Sequence, residues 1–173
     1  MKSNKRYSNA TFSKRVDREA GRHHTTRAPA EPAKCSNCGA VYSDRRWTLA
    51  GTTRKPGKHK HWHPGALTIC PACKKKQGRE PAGFLFVFGD FLGSHRREIE
   101  HLLDNEADRA AVDNPLARTM SRETEANGRM VVATTTEHLA QRLGQALEKA
   151  YGGKVRYNFS HENKLARVYW HRD

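Results

Sequence analysis

Two cysteine pairs limit what this chain can become more than any other feature. Cys35-Ser-Asn-Cys38-Gly39 and Cys70-Pro-Ala-Cys73-Lys74 each leave two residues between their thiols. That spacing lets one tight turn present both sulfurs to a single tetrahedral ion while turn amides point at them. Two such turns complete a closed site, so Cys35, Cys38, Cys70 and Cys73 are the expected ligands of one Zn2+. The 31 residues between Cys38 and Cys70 exceed the roughly 15 to 20 of the commonest pattern and call for an extended ribbon or a loop insertion. Two redox pairs or an iron–sulfur cluster are the competing uses of the same thiols. His59, His61 and His63 precede Cys70 closely, but four thiolates already saturate a zinc ion, which leaves the histidines as surface groups. A catalytic zinc needs an open position, and the deaminase signature is missing: Pro71 lies inside its pair and no HxE precedes it.

Charge is the second constraint. The chain has 173 residues and a formal net charge of +14. Residues 1–80 hold 19 of the 32 Lys and Arg but only 5 of the 18 Asp and Glu, so the whole excess sits there; residues 81–173 are balanced. An excess concentrated beside a neutral domain reads as a polyanion-binding arm, with a solvated basic tail as the bland alternative. Residues 1–34 carry nine Lys and Arg and few large apolar side chains, so they are expected to stay disordered until they meet a polyanion. Ala28 to Ala33, with Pro29 and Pro32, reads as a short stiff linker. No run approaches the length of a membrane span and no signal peptide is recognisable, which predicts a cytoplasmic protein with no membrane partner.

Around the cysteines the cations are interleaved with rings: Arg45, Arg46, Trp47, Arg54, Lys55, Lys58, Lys60 and Trp62, then Lys74, Lys75, Lys76 and Arg79. Cations hold phosphates and flat rings stack on unpaired bases, so these twelve are the candidate RNA-binding residues of a zinc ribbon spanning 35–80. Trp47 and Tyr42 have a second reading, as a miniature core packed on the metal site, and for Tyr42 it is the better one.

From Gly83 the pattern changes. Phe84-Leu85-Phe86-Val87-Phe88 is a continuous apolar run between glycines, expected to be a central strand buried on both faces. Ser94 is the expected cap of a helix ending at Asn114-Pro115, Met130–Thr134 a second strand, and Thr136 the cap of a second helix stopped by Gly152-Gly153. Alternation over Val155–Phe159 and Ala166–Trp170 predicts a hairpin near Glu162-Asn163. Residues 81–173 therefore read as an α+β domain of order strand-helix-strand-helix-strand-strand: a mixed four-stranded sheet with two helices on one face. Its first two strands are expected to be parallel because a helix separates them. Gly89–Ser94 lacks the Lys of a P-loop and reads as a tight connection, and His161, Glu162 and Asp173 suggest acid–base chemistry only by residue type.

The two cysteine pairs, the stretch from Gly83 through Asn114-Pro-Leu-Ala-Arg118, Thr134-Thr-Thr-Glu-His-Leu-Ala140 and Val168-Tyr-Trp170 together resemble a bacterial zinc-ribbon family. That family is similar to a short relative of the archaeal and eukaryotic ribosomal export adaptor named for nonsense-mediated decay. The resemblance covers about residues 35–172 and implies binding to the ribosome or ribosomal RNA, with no enzymatic residue attached. The expected function is thus a non-catalytic RNA-binding protein of the ribosome, with a zinc-ribbon DNA-binding transcription factor as the alternative.

Overall fold

The computed structural model describes residues 28–49, 65–160 and 165–173. It is an α+β protein with two sheets. The smaller is built from β1 (Ala33–Cys35), β2 (Val41–Ser43), β3 (Arg46–Thr48) and β4 (Ala66–Thr68), in the order β3-β2-β1-β4. β1 pairs antiparallel with β2 and parallel with β4. Ala33 and Lys34 are therefore strand residues of the smaller sheet. Helix α1 (Pro71–Gly78) follows, with Pro71 at its first position, where its lost N–H costs no helical bond.

The larger sheet contains β5 (Gly83–Phe88), β6 (Thr119–Thr124), β7 (Met130–Thr134), β8 (Lys154–Ser160) and β9 (Leu165–His171), in the order β6-β7-β5-β9-β8. Helix α2 (Asp90–Asp113) joins β5 to β6, and α3 (Glu137–Tyr151) joins β7 to β8. Leu92, Ile99 and Leu103 of α2 and Leu139, Leu143 and Leu147 of α3 share one core with Leu85, Val87, Met130, Val132, Val168 and Trp170, so both helices lie on the same sheet face. Trp170 is fully buried there, its indole donating to the Gly152 carbonyl at 2.9 Å.

Four expectations are corrected. The sheet has five strands, because the polar segment Thr119-Met-Ser-Arg-Glu-Thr124 forms β6 and pairs antiparallel with β7. That hairpin reverses the chain, so Met130–Thr134 runs antiparallel to β5, and β9 is the parallel neighbour. β5 is central, but within Phe84–Phe88 only Leu85 and Val87 are buried; Phe84, Phe86 and Phe88 face the other side half-buried. Helix α2 begins at Asp90 rather than after Ser94, with non-helical angles at His95. Gly89–Ser94 is therefore mostly its first turn. Thr136 caps α3 as expected, its hydroxyl accepting from the Leu139 amide at 3.3 Å. The antiparallel β8–β9 hairpin also stands, its tip lying outside the described residues.

Gly89 makes the β5–α2 turn possible. Its φ of 113° is open to glycine and few other residues, and a Cβ there would sit 2.0 Å from the Arg172 carbonyl oxygen. Gly89→Ala is expected to destabilise the domain by at least about 2 kcal/mol, combining backbone strain with displacement of the β9 end. The urea midpoint measures it, and a midpoint equal to the parent's would refute the steric account.

Candidate metal centre

The first turn starts where β1 ends. Cys35 accepts the Gly39 amide on its carbonyl and donates its own amide to Ala40, at 2.9 and 2.7 Å, which closes the loop bearing Cys35 and Cys38. Gly39 takes a φ of 73° there. The second turn is the start of α1: Cys70 is its N-cap, and its sulfur accepts the Cys73 amide at 3.4 Å. A thiolate at a helix N-terminus meets exposed amides and the positive end of the helix dipole. The parallel pairing of β1 with β4, Cys35 opposite Thr68, brings the two turns together across the gap in sequence.

All four Sγ atoms lie within 4.8 Å of one another, with Cys38 and Cys70 sulfurs 3.7 Å apart. A tetrahedral zinc with bonds of about 2.3 Å spaces its sulfurs by about 3.8 Å, so the donors need to close by no more than about 1 Å. The donor set fits such an ion. Burial opposes ionisation of Cys35, yet the amides of Cys70, Cys38 and Asn37 bring its thiol down to about 6. Burial pushes Cys73 up to about 11, and it pushes Cys70 further up still. Cys35 is thus prepared as a thiolate by amides, whereas Cys70 and Cys73 need a cation to lose their protons. The convergence of all four sulfurs on one point favours a single ion over two separate redox pairs.

A small core surrounds the sulfurs. Ala40 and Ala72 are buried beside them, and Trp47, Ile69 and Leu116 pack on the outside. Tyr42 is buried with its ring 5.2 Å from that of Trp47, the arrangement expected of a miniature core. Leu116 belongs to the α2–β6 connection, so the sheet domain contributes directly to the packing of the cysteine cluster. No local sequence signal marks Leu116 for that role.

The candidate RNA-binding residues separate by position. Arg45 and Arg46 project from the β2–β3 hairpin, exposed, and Lys76 and Arg79 are exposed on and just after α1. Lys74 is half-buried. Lys75 is engaged: its ammonium donates to the Thr135 carbonyl at 2.9 Å, and burial holds its pKa below the usual lysine value against the attraction of Glu137 and Glu80. Lys75 therefore ties the ribbon helix to the loop before α3. Trp47 packs on the cluster. Arg54, Lys55, Lys58, Lys60 and Trp62 lie outside the described residues, as do the three expected surface histidines. Glu31, which carries no motif, braces the hairpin by accepting the amides of Asp44 and Arg45 at 3.1 and 3.0 Å.

Comparison with protein-family models, curated proteins and solved structures found no match. Among the described residues no helix is long and apolar enough to cross a membrane.

Proposed function

We propose that the chain is a non-catalytic RNA-binding protein whose structural zinc ribbon and basic N-terminal residues grip RNA of the ribosome or a ribosomal precursor in the cytoplasm. The observation that carries this reading is the four-thiol cluster together with the exposed cations Arg45 and Arg46 on the β2–β3 hairpin and Lys76 and Arg79 on and just after α1. Four thiolates leave zinc no position for substrate, so the metal's role is to hold the fold. The cations it fixes in place supply sites for phosphates. The ribosome enters through the family resemblance of residues 35–172 and through the concentration of the entire net charge in residues 1–80.

Affinity for a structured ribosomal RNA fragment and for duplex DNA of equal length, measured at one salt concentration, tests the choice of nucleic acid. Tighter binding to the RNA, with co-sedimentation on ribosomal fractions, is expected. Tighter binding to the duplex would establish the transcription-factor alternative instead.

Arg45 offers a clean probe. Asp44 and Arg45 both have positive φ, 49° and 59°, in the two-residue turn between Ser43 and Arg46. Asp-Gly is the preferred pair for such a turn. Arg45→Gly should therefore keep or raise stability, within about 1 kcal/mol, while lowering RNA affinity and flattening its salt dependence by the equivalent of about one phosphate. Unchanged affinity in the stable variant would remove Arg45 from the interface.

A further inference from the structure

The face of the larger sheet turned away from α2 and α3 carries a row of rings. Phe84, Phe86 and Phe88 alternate with the buried Leu85 and Val87, and strand register sets Phe86 beside Tyr169 and Phe88 beside His171. The Phe86 and Tyr169 rings are stacked, 4.8 Å apart and 12° from parallel, and Phe84 stacks on Phe86 at 6.0 Å. Arg129 holds its guanidinium over the Phe86 ring at 5.0 Å. Among the described residues no helix packs across these rings, which are half-buried.

Cations flank the row on one side. The pairing of β8 with β9 sets Lys154 beside His171 and Arg156 beside Tyr169, while Arg167 lies beside Phe84. Lys154, Arg156 and Arg167 make no ion pair or side-chain hydrogen bond among the described residues. A shallow depression of about 510 Å³ lies at the β8 edge, lined by Phe88, Arg156, Asn158 and Tyr169 together with Tyr157 and Phe159.

An occupant must therefore offer flat apolar groups to the rings and negative charge to Lys154, Arg156 and Arg167. A second copy of this face would bring like charges together, and a duplex hides the faces of its bases. We propose that this sheet face is a stacking platform for unpaired bases of single-stranded RNA, separate from the zinc ribbon. The proposal rests on the reading of the chain as an RNA-binding protein and assigns a second site and a substrate class to it.

The test uses the full zinc-loaded chain, an unstructured RNA decamer, an abasic ribose-phosphate strand of equal length, a structured ribosomal RNA fragment and polyglutamate. Phe86→Leu and Tyr169→Leu keep apolar volume and remove the ring. In folded variants, each is expected to weaken decamer binding by about 5- to 150-fold while leaving the abasic strand unaffected. Decamer affinity equal to the parent's, or an equal weakening on the abasic strand, overturns the proposal. So does a parent that prefers polyglutamate to RNA and loses that preference in the variants, which would mark an acidic protein partner.

Photocrosslinking of a 4-thiouridine decamer to the parent chain gives a second readout that needs no variant. Adducts on residues 83–88 and 165–171 are expected, and adducts confined to residues 1–80 would overturn the platform. If the parent binds the ribosomal RNA fragment while the leucine variants keep the decamer, the platform fails and the RNA-binding reading stands. If the parent prefers neither RNA over the abasic strand and polyglutamate, the RNA-binding reading itself fails.

Discussion

Purified without added metal, the protein is expected to contain close to one zinc per chain, and removing that zinc or replacing Cys73 with serine is expected to melt residues 33–80 alone. The ribbon strands are three residues each, and the apolar cluster behind them consists of the cysteines, two alanines and three partly buried neighbours. Ordering each residue costs roughly 1 to 2 kcal/mol of backbone entropy, which so small a core does not offset. A structural zinc in a four-ligand site contributes about 10 to 16 kcal/mol, so the ion decides whether this part folds. The larger sheet has its own core from Leu85 to Trp170 and survives.

Two tryptophans report the two outcomes separately. The Trp170 indole, bonded to Gly152 inside the sheet domain, should keep its dispersed NMR signal after chelation, and that of Trp47, packed on the cysteines, should collapse. The domain that remains should be about 1 to 2 kcal/mol less stable than before, without the cover of Leu116 on the cluster or the Lys75–Thr135 bond. A metal content near zero, or iron in place of zinc, would overturn the zinc assignment. Simultaneous collapse of both indole signals would make the ribbon part of a single cooperative core.

What can be read in the sequence is what local chemistry determines. The cysteine turns are legible because ligand spacing, Gly39 and Pro71 are all short-range signals, and α3 because Thr136 and Gly152-Gly153 bracket a regular apolar stripe. β6 is illegible because an edge strand of Thr, Ser, Arg and Glu has no apolar alternation to betray it, and without it the expected direction of β7 is inverted. The run Phe84–Phe88 misleads for another reason: continuous hydrophobicity marks a strand buried on both sides, but here the aromatic half of the run lies on an open face. Ser94 looks like a cap only because the turn at Gly89 depends on closeness to Arg172, distant in sequence. The same distance hides Lys75: among four cations near α1 nothing local distinguishes the one that reaches Thr135. Site residues set by long-range pairing thus need the fold, whereas ligands set by turn geometry do not.

Removing residues 1–27 is expected to have the largest effect on RNA affinity, with a signature different from any change on a ring. The deleted segment carries Lys2, Lys5, Arg6, Lys14, Arg15, Arg18, Arg22 and Arg27 against Asp17 and Glu19, and it ends before β1, whose first residue is Ala33. The ribbon's pairing and metal site are therefore left intact. Every phosphate that the arm no longer neutralises should reduce the slope of log affinity against log salt by about 0.7 to 0.9, so the truncated chain should bind more weakly at low salt and approach the parent as salt rises. Because phosphates are common to every RNA, the weakening should be similar across sequences. Ring changes behave in the opposite way: Trp62→Ala, like the substitutions at Phe86 and Tyr169, should weaken binding to unpaired RNA by roughly 1 to 3 kcal/mol per stacked base with the slope nearly unchanged, since stacking releases few counterions. One titration series across several salt concentrations separates the two effects. If truncation leaves both slope and affinity intact, the N-terminal charges are a solvated extension, and RNA binding belongs to the ribbon and the sheet.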